Sequence, residues 1–209
     1  MKYEIAKSKS FFSNNFDTIN SLNTGYIVID NILDDPYFFI ESAKKIEFNL
    51  SHLTTIHNNV SPALEGINLK KDLLYANWVG YRSDCYSSID YNIYLNTYNE
   101  IFNKLELKIK YFNGAMFLHF APEFINEIKE NWWHSDGPIL AGVIYLNVNP
   151  KLNSGTLIRL DDRIVIVENI FNRLLLYRSE LQHSPQGFFG TNINNARLTL
   201  TFFINSFNF

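Results

Sequence analysis

The sequence predicts a mainly β fold, a sandwich or barrel buttressed by N-terminal helices. Two observations carry that expectation. Strand-like runs crowd the second half: 107–112, 115–120, 140–147, 155–160, 163–167, 174–177 and 196–205, separated by turn chemistry. Ahead of them lie two segments, 36–46 and 87–105, whose apolar residues recur at helical spacing. Strands massed behind helices must bury their apolar faces against one another, which points to a layered β core. The high aromatic content (18 Phe, 12 Tyr) agrees with pleated, half-buried surfaces. It weighs little, because an AT-biased genome inflates the same residues together with Asn, Ile and Lys.

Taken in order, residues 1–24 are polar and read as an irregular arm with Phe11, Phe12 and Phe16 as docking points. Tyr26-Ile27-Val28-Ile29-Asp30 reads as a short buried strand. Asp34 or Asp35 caps the helix at 36–46, with Pro36 in its first turn and Phe38, Phe39, Ala43 and Ile46 on one face. Residues 47–76 show no period and are broken by Pro62 and Gly66; His52 and His57 there are expected to be surface loop histidines. Residues 78–83, from Trp78, form a strand end or a lip over a pocket, and Arg82 is either a substrate-anion contact or a cation–π or surface arginine. Ile89, Ile93, Tyr94, Ile101, Phe102 and Leu105 mark the second helix. Asn113-Gly114 then signals a turn between two strands, the second of which carries His119 as a packed or surface histidine. No repeat or linker divides the 209 residues, so one domain is expected, with 1–106 as helical and irregular support and 107–209 as the β core.

The composition excludes some functions. A net charge of −3 provides no electrostatic footprint for nucleic acid or an anionic membrane. A single cysteine, Cys85, rules out an internal disulfide and a CxxC-type zinc site, in keeping with a reducing cytoplasm. The N-terminus has no apolar signal core, and no run approaches the ~18 apolar residues of a membrane span. The expectation is a soluble cytoplasmic protein of unknown oligomeric state.

Chemistry concentrates at Trp132-Trp133-His134-Ser135-Asp136-Gly137-Pro138. Residues i and i+2 of an extended chain share a face, so His134 and Asp136 are able to converge on one metal ion, and at most one of Trp132 and Trp133 should share their side. His183 follows about fifty residues later. Two imidazoles and a carboxylate on one side of a metal leave the remaining positions open, the arrangement of non-haem Fe(II) oxygenases.

In order and spacing, residues 131–205 resemble the core of the 2-oxoglutarate/Fe(II)-dependent dioxygenases, in the style of their prolyl-hydroxylase-like branch. His134-Ser135-Asp136 matches the HxD motif, and Ala141-Gly142-Val143-Ile144-Tyr145-Leu146-Asn147 the following "YLN" strand. Ser154-Gly155-Thr156-Leu157 matches the glycine turn, with serine for the first of the usual paired glycines. Asn172-Arg173-Leu174-Leu175-Leu176-Tyr177-Arg178 matches the strand leading to the distal histidine, and Arg197-Leu198-Thr199 the closing RxT strand. The His183–Arg197 interval is long for the family, so Gly187-Phe188-Phe189-Gly190-Thr191-Asn192 forms a loop that would border the substrate pocket.

The resemblance implies a double-stranded β-helix (jelly-roll, cupin-like) and a hydroxylase using Fe(II), 2-oxoglutarate and O2. His134, Asp136 and His183 would be metal ligands; Arg197, Thr199 and Tyr145 would bind the distal carboxylate of 2-oxoglutarate. Arg82 and Trp133 stand as substrate-side candidates. The substrate would be a peptide or protein side chain, an amino acid or another small molecule. A catalytically silent β-helix binding module and a cupin-like metal enzyme without 2-oxoglutarate are the alternatives.

Overall fold

The computed structural model describes residues 1–8, 25–50, 80–127 and 132–208. Phe11, Phe12, Phe16, His52, His57, Pro62, Gly66 and Trp78 lie outside the described residues. In chain order the strands are β1 (Lys2–Ile5), β2 (Tyr26–Ile29), β3 (Phe48–Leu50), β4 (Tyr81–Ser83), β5 (Tyr111–Ala121), β6 (Leu140–Tyr145), β7 (Thr156–Arg159), β8 (Arg163–Val167), β9 (Leu174–Arg178), β10 (His183–Pro185) and β11 (Arg197–Asn208). The helices are α1 (Pro36–Ala43), α2 (Tyr86–Ile89) and α3 (Tyr91–Lys104).

Two sheets result. The larger runs β2-β9-β6-β11-β5-β4-β3 and the smaller β1-β8-β7-β10. All pairs are antiparallel except β1 on β8. Alternation on β6 explains how the layers stack. Ala141, Val143 and Tyr145 join Val28, Leu175 and Tyr177 against Ile158, Val165 and Val167 of the smaller sheet. Leu140 and Ile144 point the other way, into a cluster with Phe39, Tyr98, Ile101 and Phe102 of the helices. With both faces covered, every residue of β6 is buried. This is the expected double-stranded β-helix, mainly β with helices packed on one sheet.

Several elements differ from the sequence expectation. Residues Lys2–Ile5 are not irregular: they add a parallel edge strand to β8. The expected division at residue 106 is not clean, since β1 to β4 come from the first part of the chain and complete both sheets. The second helix is two, broken at Asp90, whose carboxylate accepts from the Asn92 and Ile93 amides and caps α3. Asn113-Gly114 is not a turn: β5 runs unbroken through it, paired with β11 from Ala121–Arg197 to Tyr111–Asn208. Gly114 is needed there for a different reason. A Cβ would stand 2.5 Å from the Phe203 carbonyl and 2.6 Å from the Tyr98 hydroxyl.

Side-chain amides close the backbone where strands run out. Asn172, at φ 58°, accepts from the Leu33 amide and donates to the Leu33 carbonyl. Asn126 does the same for Phe188.

Candidate active site

His134 lies outside the named strands, yet the fold pins it against His183. Each amide donates to the other's carbonyl, at 3.0 and 2.9 Å. That exchange sets the imidazoles side by side, with ring centroids 4.2 Å apart. Asp136 follows two residues on, its amide donating to the Ser179 carbonyl at 2.8 Å. The Nδ1 atoms of His134 and His183 lie 2.7 and 3.0 Å from the carbonyls of Trp132 and Leu181. A carbonyl only accepts, so each Nδ1 carries a proton, and in the neutral imidazole that tautomer leaves the Nε2 lone pair for a ligand. Those Nε2 atoms face Asp136, 3.8 Å from Oδ1 for His134 and 3.4 Å from Oδ2 for His183.

The three donor atoms lie within 4.8 Å of one another. Two imidazole nitrogens and a carboxylate oxygen form the mixed donor set that suits Fe(II), so the residues fit that metal. Side-chain exposure falls from 43% at His134 through 20% at Asp136 to 6% at His183. The set therefore straddles the cavity wall, one ligand wet and one dry.

The cavity beside it measures about 360 Å³ and reaches Arg197. The guanidinium is buried; its Nε donates to the Ser154 carbonyl at 2.7 Å and its Nη2 to the Gly155 carbonyl at 3.4 Å. Gly155 has no room for a side chain, since a Cβ would meet the Val167 carbonyl at 1.8 Å. Among the described residues no carboxylate pairs with Arg197. Burial lowers its pKa, and the neighbouring Tyr145 and Tyr177 act in the opposite sense. The Tyr145 hydroxyl donates to Thr156 Oγ1 at 2.8 Å, and burial pushes that phenol up. Thr156 lines the cavity, whereas Tyr145 and its register partner Thr199 are fully buried. A buried cation beside a metal-ligand set is able to hold a carboxylate whose other end reaches the metal.

Arg82 and His119 are register partners across β4 and β5, and both line the cavity. The Arg82 guanidinium lies 4.6 Å above the Phe117 ring, so the cation–π alternative holds and the side chain still borders the site. Burial pushes its pKa down to about 10, against a raising pull from Asp136. Trp132 and Trp133 both border the cavity, contrary to strand alternation, because this segment is irregular apart from the His134 bridge. Trp132 packs with Ala121, Ile125 and Phe188, and Trp133 lies under the Arg159 guanidinium at 4.3 Å. Phe188, from the loop after His183, completes this side. Sequence reasoning passed over His119, Thr156 and Tyr177 as cavity residues. The odd-numbered parity of β5 was visible for His119, but not the register that carries it to Arg82.

No family model and no curated protein matches the sequence. Solved structures do match. An oxidoreductase of the 2OG-Fe(II) oxygenase family from Burkholderia pseudomallei superposes with a TM-score of 0.60 at 8% identity, covering 98% of this chain and 95% of that one. A prolyl hydroxylase from Trichoplax adhaerens, in complex with a peptide fragment of the hypoxia inducible factor oxygen degradation domain, matches with a TM-score of 0.55 at 15% identity over 90% and 87%. A full-length protein from Neurospora crassa, solved in complex with alpha-KG, matches at 0.53 and 10% identity over 91% and 78%. At such identities the likeness speaks for architecture: this chain has the fold of the 2-oxoglutarate/Fe(II) oxygenases.

Proposed function

We propose that the chain is an Fe(II)/2-oxoglutarate-dependent dioxygenase that hydroxylates a peptide side chain, an amino acid or another small molecule, with succinate and CO2 as co-products. One observation carries this reading: the donor atoms of His134, Asp136 and His183 lie within 4.8 Å of one another beside a cavity that also holds the buried Arg197. The oxygenase fold supports it.

His134, Asp136 and His183 hold Fe(II), and the Nδ1 bonds to Trp132 and Leu181 keep both imidazoles in the tautomer that binds metal. Arg197 takes the distal carboxylate of 2-oxoglutarate, with Tyr145 behind it through Thr156 and Thr199 at its flank. When bound, Fe(II) supplies the O2-dependent oxidation of 2-oxoglutarate that is coupled to substrate hydroxylation. The protein orients both reactants and keeps water away from them. Arg82 and Trp133 face the substrate. The peptide reading has the support of the Trichoplax adhaerens prolyl hydroxylase, which was solved with a peptide fragment. The single cysteine suits a cytoplasmic location.

Anaerobic addition of Fe(II) and 2-oxoglutarate should produce a weak metal-to-ligand visible band. Its absence from folded protein would overturn the proposal. A band without succinate release under O2 would mark a silent binding module. Arg197→Ala should keep the metal and lose 2-oxoglutarate; if 2-oxoglutarate binding survives, Arg197 is not its anchor.

A further inference from the structure

The pairing of β6 with β11 stops at Tyr145–Thr199, two residues short of Arg197. One more backbone bond follows, from the Leu146 amide to the Leu198 carbonyl. Past that point β11 and the residue before it still present the Leu198 amide and the Ala196 carbonyl toward β6, while the chain after Asn147 leaves for the surface at Val148 and Asn149. The Asn147 side chain takes over. Its Oδ1 accepts from the Leu198 amide at 2.9 Å and its Nδ2 donates to the Ala196 carbonyl at 2.8 Å. A carboxamide offers a donor and an acceptor side by side, as a peptide group does, so it continues a ladder that the backbone has abandoned. The two residues it grips are those on either side of Arg197.

The same amide reaches the far end of the arginine. Asn169 is fully buried; its Nδ2 donates to Asn147 Oδ1 at 3.4 Å and to Ser154 Oγ at 3.0 Å. The Ser154 carbonyl accepts from Arg197 Nε. One chain of three side chains thus ties the backbone that carries Arg197 to the carbonyl that holds its guanidinium.

The geometry points to Asn147, supported by Asn169, as a positioning residue that fixes Arg197 before any ligand arrives. The inference rests on the dioxygenase proposal for the identity of that ligand, 2-oxoglutarate. An arginine side chain has several rotatable bonds whose freedom is lost on binding. A seat built in advance removes part of that cost from binding, so loss of the seat should appear as weaker co-substrate affinity.

The test is anaerobic titration of 2-oxoglutarate into Fe(II)-loaded protein, read by the visible band, with metal affinity measured separately in its absence. Asn147→Ala should weaken 2-oxoglutarate about tenfold and raise its KM by a similar factor. Metal affinity and kcat should stay within about twofold. The control is Asn172→Gly, which removes the equivalent clamp at Leu33 and accommodates the positive φ; it should lower Tm and leave 2-oxoglutarate affinity unchanged. Asn147→Ala binding 2-oxoglutarate like wild type would overturn the inference, and so would an equal loss in Asn172→Gly. Should Asn147→Ala fail to fold, Asn169→Ala is read in its place, with about threefold weakening expected and unchanged affinity counting against. If both variants unfold while Asn172→Gly folds, the amides hold the barrel rather than the arginine, and the inference falls. If wild-type protein itself gives no band, the dioxygenase proposal fails instead.

Discussion

Arg197→Lys separates charge from geometry at the deep end of the cavity. A guanidinium has five N–H donors. In this fold two are committed, one on Nε to the Ser154 carbonyl and one on Nη2 to the Gly155 carbonyl. The Tyr145 hydroxyl also accepts from the guanidinium, so two remain, enough for a paired grip on one carboxylate. Lysine keeps the positive charge but has three N–H donors on one atom. Satisfying the same two carbonyls leaves it one, and no parallel pair. The substitution therefore removes one charge-assisted hydrogen bond from the bound co-substrate, worth about 1.5–3 kcal/mol. That corresponds to roughly 10–150-fold weaker 2-oxoglutarate binding. Metal affinity should not move, since Arg197 supplies no ligand atom. Calorimetric titration of 2-oxoglutarate into protein loaded with Co(II), alongside a titration of the metal alone, reads both quantities. A lysine variant within about twofold of wild type would refute the paired grip. Loss of metal along with 2-oxoglutarate would show that the residue shapes the whole site.

Four other substitutions test the frame around it. Wild-type protein should gain about 2.7 kcal/mol of stability with Co(II) at a hundredfold excess over Kd, whereas His134→Ala and His183→Ala should show no metal-dependent rise in Tm. Gly114→Ala forces a methyl against the Phe203 carbonyl and the Tyr98 hydroxyl and should cost about 2 kcal/mol, roughly 4–8 °C in Tm; an unchanged melting curve would show that β5 bends aside freely. Asp30 takes two hydrogen bonds from the buried Arg173, at 2.6 and 3.1 Å. Burial works to raise its pKa, but the bonds and charge of Arg173 outweigh it and hold the group below the usual 3.8. Its contribution is then complete above that value and fades as pH falls through the lower folded value, so the Tm gap between wild type and Asp30→Asn should close in acid. A gap that persists at the lowest pH would mean that the aspartate acts through packing.

The sequence was most readable where chemistry and period coincide. Arg197 stands out because a charge interrupts an apolar run, and His134, Asp136 and His183 because their order and spacing match a metal-ligand set; the fold brings all four to one cavity. Local signals were weaker where one residue type answers two demands. Gly114 follows Asn113 as in a hairpin turn, yet it is a glycine because a neighbouring strand and Tyr98 leave no space for a side chain. Asp90 looks like one polar position in a long helix, yet its amide closes one helix on the Tyr86 carbonyl and its carboxylate starts the next. Cross-strand placement was least accessible. Arg82 reaches the cavity through pairing with His119, and His119 through pairing with Thr199. Those registers depend on strands far apart in the chain.

The asparagine clamps bear on how this sequence is able to drift. An asparagine whose amide meets only solvent is free to be replaced. Asn126, Asn147 and Asn172 are different, because each amide matches both a backbone donor and a backbone acceptor. Asp keeps the acceptor and loses the donor; Ser and Thr are too short to span both; Gln adds a methylene that displaces the pair. The loop after Asn147 can lengthen or shorten without loosening the sheet, because that amide rather than the loop completes it. Among relatives of this chain, the segment after Asn147 is therefore where insertions should accumulate, next to a residue that does not change.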